Sequence, residues 1–377
     1  MKVLHVVSPG IDGGESIVGA CWSAIMLANS MVGSPYIDHL GIATKLSSYE
    51  LLDPRIDVHE IEVKPSRINK DIIVESLKIY ETHKYDVMHI HVHSLSVIKW
   101  IDLLLPETVN IVYTLHTPTM LGRSSVEYGP HGLSLSKKKN VIIAAPSDYM
   151  QRVWSEFCGG VIPPEEQSNL VTVYNGTNYD KVDIVPYENR EDYVVVCCRV
   201  DPMKRILETL RALAEYQIPT VYIGDFWTTS KSDYYSDEVK SIIESTDTIK
   251  WIPRLSNKEV KDYIRKSKAL VTLSNQESFG LTTAEAISVG TPVLYSTGGA
   301  VEEVMEDGVT GIKVEFPYRS TWKTRNKLVN ESYLKLTSTN WNPNDLVSFY
   351  ESHYTIDLMV RNYIDQYSKL MEVCENE

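Results

Sequence analysis

The chain has 377 residues, of which 43% are hydrophobic and 23% charged, with a formal net charge of −13. That length exceeds what one hydrophobic core serves well, so two domains with separate cores are expected. The composition excludes a disordered or collagen-like chain. The acidic balance argues against general attraction to DNA, RNA or anionic lipid, and no apolar run approaches the ~18 residues that a membrane-spanning helix needs. Five cysteines (Cys21, Cys158, Cys197, Cys198 and Cys374) show neither metal nor redox spacing, and a reducing compartment follows. A cytoplasmic location is expected, with peripheral membrane contact left open.

The start, Met1 to Ser8, is an apolar run closed by Pro9-Gly10, which reads as a buried first strand rather than a signal peptide. The turn that follows, Pro9-Gly10-Ile-Asp-Gly13-Gly14-Glu15-Ser16, leads into a helix to about Met31. Glycines let backbone approach a ligand and a helix start favours anions, with a plain tight turn as the alternative. The turn is neither a full dinucleotide fingerprint nor a phosphate loop ending in Gly-Lys-Ser/Thr, which removes support for cofactor oxidation and ATP hydrolysis. Further strand-like runs, Val87–His93, Asn110–His116, Val141–Ser147 and Leu170–Asn175, alternate with helix-length segments, the signature of a parallel sheet with crossover helices. His89, His91 and His93 fall on one face of their strand; a metal site is the superficial reading, and structural packing is the one adopted. His116 closes its strand at the carboxyl edge, where an imidazole can hydrogen-bond a ligand hydroxyl or serve as a buried structural group. Tyr174-Asn175-Gly176 suits a turn with positive backbone angles.

A second series follows the polar stretch Asp180–Asp192: Tyr193–Val200, Val221–Phe226, Ile249–Pro253, Ala269–Ser274 and Pro292–Thr297. Ser256 caps an amphipathic run through Lys266, a helix over Thr282–Val289 ends at Gly290-Thr-Pro292, and Thr355–Val373 is a long helix that could pack back on the first domain. The domains expected are therefore 1–185, 186–354 and a C-terminal helix over 355–377.

The most informative stretch runs Ser274-Asn-Gln-Glu277-Ser-Phe279-Gly280-Leu281-Thr-Thr-Ala-Glu285-Ala-Ile-Ser-Val-Gly290. A strand ends, a glycine-containing loop follows and a helix begins, which is the carboxyl edge where parallel sheets bind ligands. A carboxylate accepts two hydroxyl protons at once, so one at a hexose and one at a ribose would suit a sugar nucleotide; two solvated glutamates are the bland alternative. Upstream, Arg199 and Lys204 stand in a basic turn after a strand. A fixed guanidinium and ammonium there would stabilise charge growing on a departing diphosphate, against the plainer reading of a helix-terminal charge cluster.

The Glu-(seven residues)-Glu spacing of Glu277 and Glu285, continuing through Gly298-Gly299-Ala-Val-Glu302-Glu303-Val and Asp307-Gly308-Val-Thr-Gly311, resembles the signature of retaining GT-B glycosyltransferases, specifically glycosyltransferase family 4. The resemblance is dense over residues 249–314 and loose over the rest. It implies an α/β fold of two facing Rossmann-like domains with parallel sheets and a cleft between them, acceptor on the first and donor on the second. It also implies roles. Glu277 contacts sugar hydroxyls; Phe279, Gly280 and Leu281 present backbone N–H groups to the donor; and Glu285 binds the ribose. Arg199 and Lys204 hold the diphosphate, Gly13 and Gly14 lie near donor phosphate and acceptor, and His116 contacts the donor sugar. The chain departs from the family at Cys198 and Arg205, where glycine is usual.

The function implied is retaining transfer of a hexosyl group from a nucleotide sugar, UDP- or GDP-linked, to a hydroxyl acceptor. No cofactor and no metal is expected. Rival readings on the same scaffold are a nucleotide-sugar epimerase, a phosphorylase and a non-catalytic nucleotide-sugar-binding protein. The segment Thr117–Asn140 carries Arg123, Lys137, Lys138 and Lys139 against the single carboxylate Glu127, opposite in sign to the whole chain. A solvated charge run is the ordinary explanation. As an acceptor site it would draw an anion, such as a phosphorylated lipid, an acidic glycan or a modified nucleic-acid base, with Gly122, Gly129 and Gly132 letting a loop adapt.

Overall fold

The computed structural model describes residues 1–7, 19–44, 51–64, 67–92, 94–116, 123–160, 169–178, 182–226 and 233–375. They form two compact units, Met1–Asn178 with Thr355–Glu377, and Tyr179–Tyr354.

In the first unit, strands β1 (Lys2–Val7), β2 (His39–Thr44), β3 (Asp57–Glu60), β4 (Val87–His91), β5 (Ile111–Thr114), β6 (Val141–Ala145) and β7 (Leu170–Thr172) form one parallel sheet in the order β3-β2-β1-β4-β5-β6-β7. Helices α1 (Gly19–Met31), α2 (Ile68–His83), α3 (Ser96–Leu104), α4 (Arg123–Leu135) and α5 (Asp148–Phe157) make the crossovers. Alternate residues of the central strands enter separate cores: Leu4, Val6, Met88 and Ile90 pack in one, Val3, Val7 and Val87 in the other. Both faces are covered, which is why these strands read as nearly continuous apolar runs.

The second unit repeats the plan with β8 (Val194–Cys197), α6 (Ile206–Glu215), β9 (Thr220–Ile223), α7 (Asp233–Glu244), β10 (Ile249–Ile252), α8 (Asn257–Lys266), β11 (Ala269–Thr272), α9 (Leu281–Ser288), β12 (Val293–Ser296), α10 (Val301–Val304), β13 (Gly311–Val314), α11 (Trp322–Ser338) and α12 (Pro343–His353). Its strand order is β10-β9-β8-β11-β12-β13, again parallel. The start of α8 is a reciprocal cap: Ser256 Oγ accepts the Glu259 N–H, and the Glu259 carboxylate accepts the Ser256 N–H at 2.8 Å.

The last helix, α13 (Ile356–Glu375), belongs to the first unit, where Met359, Tyr363, Tyr367 and Leu370 are buried in the core beside α1. Gly176 lies against the Thr355 carbonyl, with no room for a Cβ. Neither Asn175 nor Gly176 has a positive φ, so the turn expected there is a close backbone approach instead. Among the described residues no helix is long and apolar enough to cross a membrane.

Each sheet reverses its winding direction once, between β1 and β4 and between β8 and β11. Loops leaving the carboxyl ends of such a pair diverge and open a crevice, the usual ligand position in open α/β sheets.

Candidate active site

In the second unit the loops after β8 and β11 meet at this reversal. After β8, Asp201 caps the 3-10 turn Pro202–Lys204, accepting the Met203 N–H at 2.8 Å with one oxygen. Its other oxygen lies 2.9 Å from Arg199 Nη2 and 3.2 Å from Nε, so one carboxylate shapes the turn and aims the guanidinium. Lys204, at the end of the turn, places Nζ 2.6 Å from Glu277 Oε1. Arg205 adopts the left-handed conformation, φ 50° and ψ 40°, which glycine takes without strain. That accounts for the glycine usual there in the family resembled. Its guanidinium donates to Asn275 Oδ1 at 2.6 Å, and the Asn275 N–H donates to the Met203 carbonyl at 2.8 Å. Two loops distant in sequence are thereby tied into one surface.

A third loop holds Glu277 from the other side. Gly299, at φ 72°, lies against the Glu277 backbone and Gly298 against the Ser274 carbonyl, neither with space for a Cβ, while the Ala300 N–H donates to the Glu277 carbonyl at 2.9 Å. The Cys198 thiol sits within the field of all four charged groups. Loss of hydration pushes it up to about 12, with Lys204 and Arg199 pulling down and Glu277 and Asp201 pushing up.

Phe279 is buried, its ring edge-on to Tyr354 at 5.5 Å. Gly280 (φ 99°, ψ 58°) turns the chain into α9, whose first residue is Leu281, and the opening amides of a helix have no partner within it. Glu285 lies in the second turn of α9 and is buried. Burial pushes its carboxyl up to about 7, and Lys261, itself buried on α8, pulls the other way.

The far end of α9 is fixed by a residue that sequence reasoning passed over. The Arg190 guanidinium is buried and donates to the carbonyls of Gly290 (2.8 Å), Ser267 (3.2 Å), Val185 (3.2 Å) and Val289 (3.4 Å), and to Thr291 Oγ1. A cation on the last carbonyls of a helix satisfies them and complements its dipole. Burial lowers its pKa to about 10. The only signal was a lone arginine inside a polar stretch that reads as a linker.

On the first unit, His116 stands two residues beyond β5, half-buried, with Nε2 3.2 Å from His91 Nδ1. Gly13 and Gly14 lie outside the described residues, as do His93, Gly122 and the side chain of Arg123, whose backbone opens α4. The remaining acceptor-side candidates divide. Lys137 and Lys139 are exposed, whereas Lys138 is half-buried with Nζ 3.0 Å from Asp102 Oδ1. Asp102 also bonds His131 Nδ1 and Ser134 Oγ, each at 2.8 Å. Lys138 is therefore part of a structural network rather than an open anion-binding cation. Nor is the segment an adaptable loop. It is largely α4, in which Gly129 and Gly132 allow close packing against the Phe157 carbonyl and Cys158 Sγ.

Among the described residues His5, His89 and His91 form a group spaced to hold a metal ion, their ligand atoms within 4.8 Å of one another. The third histidine comes from β1, beside β4 in the sheet, and not from the alternating triplet. Their nitrogens bond within the protein: His5 Nδ1 to His91 Nε2 at 3.1 Å, and His89 to Tyr367 Oη at 2.6 Å and Thr114 Oγ1 at 2.7 Å.

Two parallel α/β units, each with one reversal of strand order, define a protein of the GT-B class. Solved structures share this architecture. HepE of Anabaena in complex with UDP and glucose is 16% identical, covers 98% of this chain and 99% of its own, and has a TM-score of 0.70. Sucrose-phosphate synthase of Thermosynechococcus elongatus is 13% identical, covers 99% of each chain, and has a TM-score of 0.74. The family model of glycosyl transferases group 1 matches residues 181–333, which span the whole constellation from Arg190 to Glu285. A D-inositol 3-phosphate glycosyltransferase of Pseudarthrobacter chlorophenolicus is 21% identical over 365 residues, 83% of this chain and 84% of the relative. The second unit carries the match to glycosyl transferases group 1, and over most of its length the chain is similar to glycosyltransferases.

Proposed function

We propose that the chain is a glycosyltransferase that moves a hexosyl group from a nucleotide sugar to a hydroxyl acceptor with retention of configuration, as in family 4. The observation that carries the reading is the gathering of Arg199, Lys204, Glu277 and Glu285 at the reversal point of the second sheet, with Lys204 and Glu277 in direct contact at 2.6 Å. In this reading Arg199, Lys204 and the start of α9 meet the charge that grows on the departing diphosphate, a task that a divalent cation performs in other transferases. Glu277 accepts sugar hydroxyl protons, Glu285 those of the ribose, and His116 contributes from the first unit. HepE has been solved with UDP-glucose and with UDP, which favours UDP as the carrier. The acceptor class is proposed as anionic, since the relatives' name specifies a phosphorylated polyol.

The test is a thermal-shift screen of UDP-, GDP- and ADP-sugars without added metal, followed by mass spectrometry of transfer with the best donor. A bound donor raises the melting temperature by mass action. No shift with any nucleotide sugar, with or without divalent cation, would overturn the donor assignment.

A further inference from the structure

Most arginines of the second unit hold an acid or a helix end. Arg199, Arg211, Arg254 and Arg265 form ion pairs with Asp201, Glu238, Asp225 and Asp262, and Arg190 grips the end of α9. Arg205, Arg319 and Arg325 differ: among the described residues none of the three has a carboxylate within ion-pair distance. Acids are not scarce, since the chain has 50 acidic residues against 37 lysines and arginines.

The three are also drawn together. The Arg205 and Arg325 guanidiniums both lie over the Phe316 ring, with Cζ 5.7 and 5.8 Å from its centroid, and Arg319 lies over the neighbouring Tyr318 ring at 5.2 Å. Neutral groups orient them: Arg205 Nη2 donates to Asn275 Oδ1 at 2.6 Å, and Arg325 Nε to Ser320 Oγ at 3.0 Å. Aromatic faces and neutral oxygens aim a guanidinium without cancelling its charge, and hydration screens that charge without removing it. The gathered charges repel. Burial lowers the Arg205 pKa, and the charge of Arg325 lowers it further, against Glu208 and Tyr235. Glu208 is itself engaged, accepting from Tyr235 Oη at 3.0 Å.

Backbone strain falls at the same corner. Arg205 (φ 50°) and Arg319 (φ 59°) are two of the four described non-glycine residues with positive φ. Glycine would hold that conformation at less cost, so folding alone does not call for arginine at either position. Charge and backbone preference are both violated in one place, as happens where a ligand is served.

We propose that Arg205, Arg319 and Arg325 form a phosphoryl-binding site at the corner between the loop after β8 and the start of α11, distinct from the Arg199–Lys204 pair assigned to the donor diphosphate. Guanidinium forks match phosphate oxygens, and a phosphate supplies the negative charge that no acid of this corner does. Lys204 and Arg205 are consecutive, yet Lys204 Nζ meets Glu277 while Arg205 meets Asn275 and Phe316, so the two cations of one turn serve different groups. A phosphate on the acceptor and the phosphate of a lipid headgroup both offer this chemistry; the first source rests on the proposed reaction, and the site itself does not.

Titration calorimetry of the whole protein with inorganic phosphate tests the site, with UDP present at saturation to fill the donor position and sodium chloride matching the ionic strength. Wild type should bind phosphate, and the double variant Arg319→Gln/Arg325→Gln should bind it about 100-fold more weakly, since each lost charge-assisted contact costs roughly tenfold. UDP affinity should be equal in the two proteins, because both residues lie outside the Arg199–Lys204 turn. Should the double variant not fold, Arg319→Gln alone, at an exposed residue, should lose about tenfold. Equal phosphate affinity in variant and wild type, or none in wild type, overturns the proposal. Failure of UDP to bind strikes the donor assignment instead and leaves the arginine site to the phosphate comparison. Co-sedimentation with phosphatidylcholine vesicles, with and without phosphatidic acid, separates the sources. Retention on the acidic vesicles by wild type and not by the variant assigns the site to a headgroup; retention by both or by neither assigns it to a soluble phosphorylated compound.

Discussion

Replacing Glu285 with glutamine keeps the shape of the side chain and removes its charge, so it isolates the consequence of burying a carboxyl on α9. The folded carboxyl titrates at about 7 against an ordinary value of 4.5, chiefly because burial disfavours the ionised form. At ~1.4 kcal/mol per tenfold, the difference corresponds to about 3 kcal/mol. Below about pH 4.5 the group is protonated in both the folded and the unfolded chain, and no penalty exists. As the pH rises from there, the unfolded chain ionises first, so stability falls until the folded carboxyl also ionises near pH 7, above which the penalty is complete. The glutamine variant has no such dependence. Urea unfolding of the second unit at pH 4.5 and pH 8 should therefore show the variant gaining about 3 kcal/mol on wild type between the two, while nucleotide-sugar binding weakens at pH 8 through loss of the ionised acceptor. An equal difference between variant and wild type at both pH values would refute burial as the dominant influence on Glu285.

Gly299→Val adds a side chain where the Glu277 backbone leaves no room and the φ of 72° is already unfavourable. It should lower turnover at least about tenfold with far-ultraviolet circular dichroism unchanged; full activity would detach this loop from Glu277. Arg190→Met strips the α9 terminus of a cation held by five acceptors. A loss of about 3 kcal/mol is expected in denaturant unfolding, and a change under ~1 kcal/mol would mean the carbonyls find other partners. Lys204→Ala should reduce turnover by about tenfold or more, and combining it with Glu277→Gln should cost less than the product of the single effects because the two groups are in contact. Fully multiplicative effects would show that the contact has no part in the reaction.

The legible parts of the fold were those in which local pattern and tertiary burial agree. The runs at β6, β8 and β11 are largely apolar on both faces because both faces are covered, β1 and β4 differ only in burying His5, His89 and His91 on one face, and each was recognisable as a strand. β3 was not, since Asp57–Glu60 is an edge strand with charged ends and three of its four residues exposed. β13 (Gly311–Val314) opens on a glycine and carries Lys313, and β2 has Gly41 at its centre, so neither reads as an unbroken apolar run. Around α4 the local pattern misleads. Gly129, Pro130 and Gly132 all disfavour helix, yet packing against α5 overrides propensity. In the site, the spacing of Glu277 and Glu285 and the Arg199–Lys204 turn were visible because they are contiguous motifs. The contacts from His5 through His91 to His116, the pairing of Lys138 with Asp102 and the grip of Arg190 on α9 join residues far apart in the chain, and no local pattern announces them.

On the proposed reaction, the contact between Lys204 and Glu277 also explains how one site serves a growing charge and a neutral sugar together. Both side chains keep partial exposure, 24% and 16%, so neither is an uncompensated charge sealed in the core when its partner changes. A phosphate oxygen offers the ammonium the same charge-assisted hydrogen bond that the carboxylate does, so transfer of Lys204 from one to the other is nearly balanced, provided Glu277 is satisfied at the same moment. Sugar hydroxyls can do that, each donating a proton to the carboxylate. Arg199 is held differently: Asp201 is anchored by the Met203 N–H, so the guanidinium stays paired and oriented rather than exchanged. One cation is thus free to follow charge along the reaction and the other is fixed, and both depend on loops that meet only because the sheet reverses between β8 and β11.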